Sequence, residues 1–270
     1  TYNVATILED YQDLLEAENA PLFNRTLMGT YAPGSTFKPC TAIAALTMGI
    51  VNTEDKIKCE GVYTRYAAEG YAPECWIWNS TKDHLTHPEE NVTTAIRDSC
   101  NYYFYSIGNY LGVDDLGKFA ANFGLGEYSG IVEAKGNMSN QANHMDYAGT
   151  EWRIGDTLQA AIGQSDSVFT PIQMAEYCAT VANSGTRYSA SILKSIRNYD
   201  YSEKLYDREP TVMSTVESAE YNWAAVHDGM WQVLNDYINE KNVNVWVDCQ
   251  WRVAGKTGTA QKGEGIQNDG

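Results

Sequence analysis

The feature that most constrains the fold of this chain is a serine and a lysine three residues apart at the start of a predicted helix. The stretch Ser35-Thr36-Phe37-Lys38 follows a Pro-Gly turn, and apolar residues then recur at helical spacing up to Gly49. On a helix, side chains at i and i+3 share a face, with Cβ atoms about 5–6 Å apart. From there a lysine can take the serine's proton and make a weak alcohol nucleophilic. Ser-x-x-Lys also arises often by chance, and a plain helix cap beside a solvated lysine is the alternative.

A second polar stretch, Ser99-Cys100-Asn101, lies between two predicted helices. A loop in that position can aim the serine and the asparagine outward together. A hydroxyl can relay a proton, and a carboxamide can both donate to and accept from a peptide substrate. Capping of the following helix is the alternative, and this stretch taken alone favours capping.

A third stretch, Lys256-Thr257-Gly258, lies in a segment whose small residues predict a strand over 251–261. Glycines in a strand let another backbone approach closely, so a substrate peptide can lie alongside as an added strand. Lys256 then supplies a cation for a terminal carboxylate. A phosphate loop is excluded, because Gln250 stands where that motif needs its first glycine.

Composition excludes several partners. The 270 residues carry 19 basic and 35 acidic side chains, a net charge of −16, and such a surface repels nucleic acid and anionic lipid. No run of 18 apolar residues and no secretory signal pattern occurs in the sequence. We therefore expect no nucleic-acid partner and no membrane span within the chain as given.

Periodicity predicts helices in the middle of the chain and strands toward its end, which indicates an α+β fold. Between residues 52 and 90 the sequence is rich in turn-forming residues and predicts irregular structure. Strands are predicted at 190–199 and 251–261, and helices at 6–17, 35–49, 92–98, 101–110, 114–123, 171–182 and 218–234.

The six cysteines are too few for a disulfide scaffold in a chain of this length. Cys40 and Cys178 lie in apolar helical patterns that predict buried thiols. Cys59 and Cys75 bracket a loop, and a disulfide between them, worth roughly 3 kcal/mol, is no more favoured than two free thiols. The spacing also disfavours a further alternative, a metal site made by Cys59, Cys75, His84 and His87.

Together and in this order, the three stretches resemble the transpeptidase domain of class B penicillin-binding proteins. That resemblance extends over most of the chain and implies a β-lactamase/transpeptidase-like fold, with an antiparallel sheet packed by helices and a largely helical subdomain. It also implies that residues 1–270 are part of such a domain, with further strands expected before and after them and a membrane anchor elsewhere. The matching stretches are 24–25, 29–39, 99–105, 162–164, 170–175 and 254–261.

The resemblance implies acyl transfer from a peptidoglycan stem peptide, without metal or organic cofactor. Ser35 would attack the carbonyl between the two terminal D-alanines, Lys38 would act as general base, and Ser99 would pass a proton to the departing D-alanine. Lys256 is the fourth catalytic candidate. A second stem-peptide amine would resolve the acyl-enzyme into a cross-link, and β-lactams would leave the serine acylated.

Substrate binding is implied for a second set of residues. Asn101 would orient the substrate amide, Thr257 would help Lys256 to hold the terminal carboxylate, and Gly258 would lie beside the bound peptide. Backbone N–H groups of Ser35 and Thr259 would form the oxyanion hole. The expected partners are stem peptides, β-lactams and, for a membrane-anchored parent on the extracytoplasmic face of the bacterial cytoplasmic membrane, proteins of cell-wall elongation or division.

Related functions stay open. Serine β-lactamases and β-lactam-sensing receptor domains share the first and third motifs, but class D members carry Ser-x-Val where this chain has Ser-Cys-Asn, and no deacylating glutamate motif follows Ser99. A D,D-carboxypeptidase uses the same chemistry with water as acceptor. A non-enzymatic cell-wall scaffold with a decayed site is the alternative of another class, and the intact motifs argue against it.

Overall fold

The structure is a computed structural model and describes residues 7–131, 134–237 and 250–260. Short 3₁₀ turns occur at Gly34–Phe37 and Ala67–Glu69, and a π-helical turn at Val233–Tyr237. Among the described residues, no helix is both long and apolar enough to cross a membrane. The α-helices are Ile7–Glu16 (α1), Arg25–Met28 (α2), Lys38–Thr47 (α3), Trp76–Ser80 (α4), Val92–Arg97 (α5), Asn101–Leu111 (α6), Val113–Asn122 (α7), Gln141–Ala148 (α8), Ile154–Ala160 (α9), Pro171–Ala182 (α10) and Glu220–Gln232 (α11).

The strands of the described part form small antiparallel pairs and not one broad sheet. They are Ile57–Lys58 (β1), Glu89–Glu90 (β2), Thr186–Tyr188 (β3), Ser195–Arg197 (β4), Lys204–Asp207 (β5) and Val212–Thr215 (β6). β1 pairs with β2, β3 with β6, and β4 with β5. This mixture of helices and antiparallel strands confirms the predicted α+β class.

Helix α3 is the centre of the core. Its residues 38–46 are all buried, and the run of small alanines lets neighbouring helices approach closely. Thr41 Oγ1 donates to the carbonyl of Ala161 at 2.8 Å, which ties α3 to the end of α9. A Cβ added to Gly108 on α6 would lie 2.2 Å from Ala161 Cβ, so only glycine permits this packing. The helix that begins with Lys38 is therefore held rigidly from two sides.

Most predicted helices are confirmed to within a few residues. The N-terminus of α10 shows why: the Thr170 hydroxyl accepts from Gln173 N–H at 3.3 Å, and Pro171 occupies the first turn. One burial prediction on this helix is wrong. Cys178 is exposed, because the buried face passes through Tyr177 and Val181 and the next position rotates about 100° away from it. The other predicted buried thiol, Cys40, is buried.

The strand predicted at 190–199 is only partly confirmed. Within it the structure forms Ser195–Arg197 alone, and the preceding strand ends at Tyr188. The Ser191 side chain accepts from Leu193 N–H and donates to Leu193 C=O, each at 3.1 Å. It thereby occupies the backbone groups of Leu193 that pairing with another strand would need. The chain consequently turns where alternation predicted a continuous strand.

The prediction of a strand at 251–261 is wrong for the described residues 251–260. Residue 261 lies outside the described residues. This segment is irregular, because none of the described strands pairs with it. It is anchored instead by Gly255 N–H donating to Met230 C=O at 3.0 Å, at the end of α11. The third motif is thus placed by contacts with helices and loops.

Candidate active site

The three motifs meet in one cleft of about 370 Å³. Of the eight candidate site residues predicted from the sequence, six line it, and Lys38 and Lys256 do not. The lining also includes side chains that the sequence did not single out. The full set is Ser35, Trp76, Arg97, Asp98, Ser99, Asn101, Ile162, Gln164, Thr257, Gly258 and Thr259.

The turn that carries Ser35 is held by a second turn packed directly against it. Gly34 has φ +53° and its N–H donates to Gly163 C=O at 2.9 Å. Gly163 has φ +76°, and a Cβ there would lie 2.1 Å from the carbonyl oxygen of Gly34. Both positions need a left-handed backbone and no side chain. This contact fixes the serine at the start of the buried helix.

Lys38 is completely buried and faces the second motif. Its Nζ donates to Ser99 C=O at 2.8 Å, to Ser99 Oγ at 3.0 Å and to Asn101 Oδ1 at 2.6 Å. The Lys38 backbone N–H donates to Ser35 C=O, but among the described residues no hydrogen bond joins the two side chains, although the sequence paired them by their spacing. Burial lowers the pKa of Lys38 from 10.5 to about 8. A lysine that gives up its proton this readily suits a general base at neutral pH.

The second motif adopts a constrained backbone. Ser99 has φ +53°, a left-handed conformation that costs roughly 1–3 kcal/mol for a residue with a side chain. The turn lets α5 end and α6 begin within three residues, and it directs the Ser99 hydroxyl and the Asn101 carboxamide at the same ammonium group. The hydrogen bonds to Lys38 help to hold this conformation.

The third motif runs against the turn of Ser35. A Cβ added to Gly258 would lie 2.7 Å from Thr36 Cγ2, and one added to Gly34 would lie 2.5 Å from Thr259 C=O. Gln164 Nε2 donates to the same Thr259 oxygen at 3.1 Å. The glycine in Lys-Thr-Gly is therefore a packing requirement, as well as an opening for a ligand backbone.

Lys256 is half-buried and directly precedes Thr257, which lines the cleft. Its Nζ donates to Thr257 C=O at 3.1 Å and to Thr257 Oγ1 at 3.3 Å. Desolvation, with a smaller contribution from the charge of Lys38, lowers the pKa of Lys256 to about 6. The charge of Lys38 therefore disfavours the charged form of Lys256. A carboxylate bound beside Lys256 would favour its charged form.

Ser35 in the first motif and Thr259 next to the third motif both line the cleft, and each carries a backbone N–H group. Within the described part of the chain, neither Ser35 N–H nor Thr259 N–H donates a hydrogen bond. Unengaged backbone donors near a nucleophile are the components of an oxyanion hole. The assignment of these two N–H groups to an oxyanion hole stays a prediction.

Directly behind the second motif lies a buried cluster of three thiols and an imidazole. The ligand atoms of Cys59, Cys75, His87 and Cys100 all lie within 4.8 Å of one another. Sγ of Cys75 is 3.5 Å from Nδ1 of His87 and 4.0 Å from Sγ of Cys100. These cysteines are free, which decides between the alternatives left open for Cys59 and Cys75. Three thiolates and one imidazole are a donor set that suits tetrahedral Zn²⁺.

This cluster differs from the metal site considered in the sequence. His84 is exposed and stacks on Trp78 with ring centroids 4.7 Å apart, so it takes no part. Cys100, the middle residue of the second motif, occupies the fourth position. Hydrogen bonds from Cys100 and Cys59 lower the pKa of Cys75 well below its ordinary value, which favours a thiolate ligand. The donor set argues against the expectation that the protein needs no metal.

Sequence reasoning missed part of the cleft wall. Arg97 and Asp98 immediately precede the second motif and line the cleft beside it, together with Trp76. Their position next to Ser99 was the available signal. Trp76 comes from the segment predicted to be irregular, where local pattern gave no reason to place it at the cleft.

Comparisons with known proteins identify the family of the chain. The sequence model of one family, described as "Penicillin binding protein transpeptidase domain", matches residues 2–269. "Peptidoglycan D,D-transpeptidase MrdA" of Escherichia coli K12 is 29% identical over 257 residues, covering 94% of this chain and 39% of the relative. The protein of the same name from Haemophilus influenzae is 30% identical over 265 residues, covering 94% of this chain and 38% of the relative. The chain thus spans about two-fifths of the length of these relatives.

Solved structures give the same fold. A crystal structure of Pseudomonas aeruginosa PBP2 in complex with WCK 5153 superposes with a TM-score of 0.77 at 30% identity, covering 94% of this chain and 55% of that chain. A structure described as "Structural coordination of polymerization and crosslinking by a peptidoglycan synthase complex" has a TM-score of 0.77 at 28% identity, covering 94% and 40%.

Proposed function

Because this chain belongs to the family of penicillin-binding protein transpeptidase domains, we propose that it catalyses D,D-transpeptidation of peptidoglycan stem peptides through an acyl-enzyme on Ser35. The observation that carries the proposal is the convergence of three distant motifs on a single cleft, with Lys38 bonded to two residues of the second motif. Relatives named as peptidoglycan D,D-transpeptidases support the same reaction.

In the first step Ser35 Oγ attacks the carbonyl carbon of the penultimate D-alanine. Neutral Lys38 takes the serine proton, and the oxyanion is held by the N–H groups of Ser35 and Thr259. The C–N bond to the terminal D-alanine then breaks, and the proton passes from Lys38 through the Ser99 hydroxyl to the leaving amine. The 3.0 Å contact between Lys38 Nζ and Ser99 Oγ is the route for that transfer.

In the second step an amine of another stem peptide attacks the ester. Its proton passes through the Ser99 hydroxyl and Lys38 to Ser35 Oγ as the C–O bond to Ser35 breaks, and an amide cross-link forms. Water in place of the amine would give carboxypeptidase activity. The carboxylate that lines the cleft belongs to Asp98, which is paired with Arg97 and not poised to activate water. For the described part of the site this favours slow hydrolysis, in contrast to a β-lactamase.

Substrate binding follows from the walls of the cleft. Lys256 and Thr257 would hold the terminal carboxylate, and Asn101 would orient the amide of the incoming peptide. The absence of a side chain at Gly258 would let the peptide backbone lie close to the third motif. A β-lactam presents a similar carboxylate and a strained amide, and would acylate Ser35.

The cellular setting follows from the family and the relatives. A domain that acts on peptidoglycan works on the extracytoplasmic side of the bacterial cytoplasmic membrane. The similarity to a chain in a peptidoglycan synthase complex supports action beside proteins of cell-wall elongation or division. These partners would contact surfaces outside the cleft.

The test is acylation by benzylpenicillin, followed by mass spectrometry of the intact chain and of its peptides. We expect one long-lived adduct per chain on the peptide that contains Ser35, and none in Ser35→Ala. Ser80→Ala, which removes an exposed hydroxyl far along the chain from the motifs, is the matched control and should label normally. Labelling of Ser35→Ala, or rapid release of the adduct, would refute the transpeptidase proposal.

A further inference from the structure

One wall of the cleft carries charged side chains that the proposed reaction does not use. Arg97 and Asp98 lie at the end of α5, directly before Ser99, and Trp76 lies beside them. The nucleophile, the base, the relay and the carboxylate-binding cation are all supplied by other residues. The chemistry of this wall therefore requires a separate explanation.

The two charges are held in a fixed geometry. Arg97 Nε and Nη2 donate to the two carboxylate oxygens of Asp98, each at 2.8 Å. Their side chains are 29% and 13% exposed, so both remain reachable from the cleft. Trp76 Nε1 donates to the backbone carbonyl of Asp98 at 3.0 Å, and the Trp76 ring packs edge-on against His87 at 5.5 Å. Indole, carboxylate and guanidinium thus form one preorganised group.

We propose that Arg97, Asp98 and Trp76 form a specificity subsite for a zwitterionic head group on the donor peptide. The ligand class is a side chain that ends in both an ammonium and a carboxylate, as in a diaminopimelate-type stem peptide. The inference rests on the proposed function, since it concerns the donor substrate of the same cleft.

A zwitterionic head group can open the internal pair and replace it with two pairs, its carboxylate on Arg97 and its ammonium on Asp98. A guanidinium fork and a carboxylate recognise such groups with directional, charge-assisted hydrogen bonds. The indole face of Trp76 offers a further contact for the ammonium. In the bound state Arg97 and Asp98 would each keep a partner of opposite charge.

A side chain that ends in a lone ammonium, as in a lysine-type stem peptide, should bind this subsite more weakly. It must compete with Arg97 for Asp98, and success would leave the guanidinium without its carboxylate in a partly buried wall. Removing one partner of such a pair costs more than the pair contributes when intact. The subsite therefore discriminates through an unfavourable contact as well as a favourable one.

The direct test compares three synthetic donor pentapeptides that differ only at the third residue. They carry diaminopimelate, diaminopimelate with its side-chain carboxylate amidated, and lysine. Release of D-alanine with a common acceptor gives kcat/KM for each. We expect the first donor to exceed the other two by about tenfold or more, the range that a charge-assisted contact supports. Equal values for the three donors would overturn the subsite.

Variants distinguish recognition of the substrate by Arg97 from a purely structural role of the Arg97–Asp98 pair. Arg97→Gln should bring the diaminopimelate donor down to the level of its amidated form, because the amidated donor has no carboxylate for the guanidinium. Arg65→Gln, which alters an exposed arginine bonded to Tyr110, is the matched control and should keep the preference. If Arg97→Gln slows all three donors equally, the pair only braces the loop and the inference is refuted.

The failure of the subsite is distinguishable from the failure of the proposed function. If the wild-type chain reacts with none of the donors and takes up no penicillin, transpeptidation itself is refuted. If it is acylated at Ser35 and uses all donors alike, the reaction stands and the specificity assignment falls. The wild-type comparison needs no variant, so a folding defect in Arg97→Gln does not affect it.

Discussion

The two lysines of the cleft should give acylation a bell-shaped dependence on pH. Lys38 must be neutral to take the proton of Ser35, whereas Lys256 must be charged to hold a carboxylate. Burial lowers the pKa of Lys38 to about 8, and desolvation followed by the charge of Lys38 lowers that of Lys256 to about 6. Between these values the pair holds a single proton. Only this one-proton state can be productive.

The magnitude follows from the two pKa values. At pH 7 about one-tenth of Lys38 is neutral, against roughly three parts in ten thousand for a lysine at 10.5, a gain of about 300-fold in available base. Within the one-proton state, the form with the proton on Lys256 is about one part in a hundred in the free cleft. A bound carboxylate raises that share. In the free protein this share does not change with pH. The acylation rate constant at each pH is therefore still proportional to the population of the one-proton state.

The assay is the second-order rate constant for acylation by a fluorescent penicillin, measured from about pH 5 to 9.5 at fixed ionic strength. The rate constant should increase up to about pH 6, stay level, and decrease above about pH 8. These two limbs reflect the ionisations of the free protein, because a second-order rate constant reports on the unbound state. Lys256→Met should react slowly with a single limb that rises near pH 8, because Lys38 is then the remaining titrating base. A change of profile, and not only of rate, is the diagnostic result.

The control is Lys118→Met, which removes an exposed lysine paired with Asp115 on α7. It should leave both limbs in place. A wild-type rate that is flat between about pH 5 and 9 would refute the assignment of the two lysines. A single limb near 10.5 would show that Lys38 is solvated in solution and that burial does not set its pKa.

Two further predictions concern the structures that support the cleft. The purified chain should bind one Zn²⁺ per molecule by elemental analysis. Cys75→Ser should lose the metal and unfold at lower temperature, whereas Cys178→Ser, which alters an exposed thiol, should do neither. Gly163→Ala should cost more than about 2 kcal/mol in urea unfolding and slow acylation, because its Cβ would meet the turn of the nucleophile. Gly49→Ala, with a similar positive φ and open space around it, should cost only about 1 kcal/mol. Equal losses for the two glycine variants would show that backbone conformation alone is responsible.

The parts of the site that could be predicted from sequence are those encoded by short local patterns. A Pro-Gly turn before Ser35, a threonine cap before Pro171 and the separated polar triplets each specify local backbone geometry. The occurrence of the three motifs together and in this order predicts that they converge. The structure brings Ser35, Ser99 and Thr257 into one cleft. Local patterns therefore predicted part of the cleft lining, and the catalytic roles of these residues stay predictions.

What could not be predicted depends on contacts between distant segments. The spacing pairs Lys38 with Ser35, yet burial of α3 against α6 directs its ammonium to Ser99 and Asn101. The thiol cluster combines residues from four separate segments, and its fourth ligand belongs to a motif already assigned another role. The strand predicted around Lys256 requires a paired neighbour, which periodicity cannot supply. Such features are tertiary in origin.

The middle residue of the second motif connects these observations. Cys100 follows Ser99 in its left-handed conformation, and its thiol lies in the buried cluster while Asn101 reaches Lys38. A metal ion bound there would fix Cys100 and thereby the backbone on both sides of it. The strain at Ser99 would then be balanced by metal–sulfur bonds as well as by the lysine. Metal loss should consequently raise the barrier to acylation without removing any group that touches the substrate, which makes the cluster a support for the relay and not a participant in it.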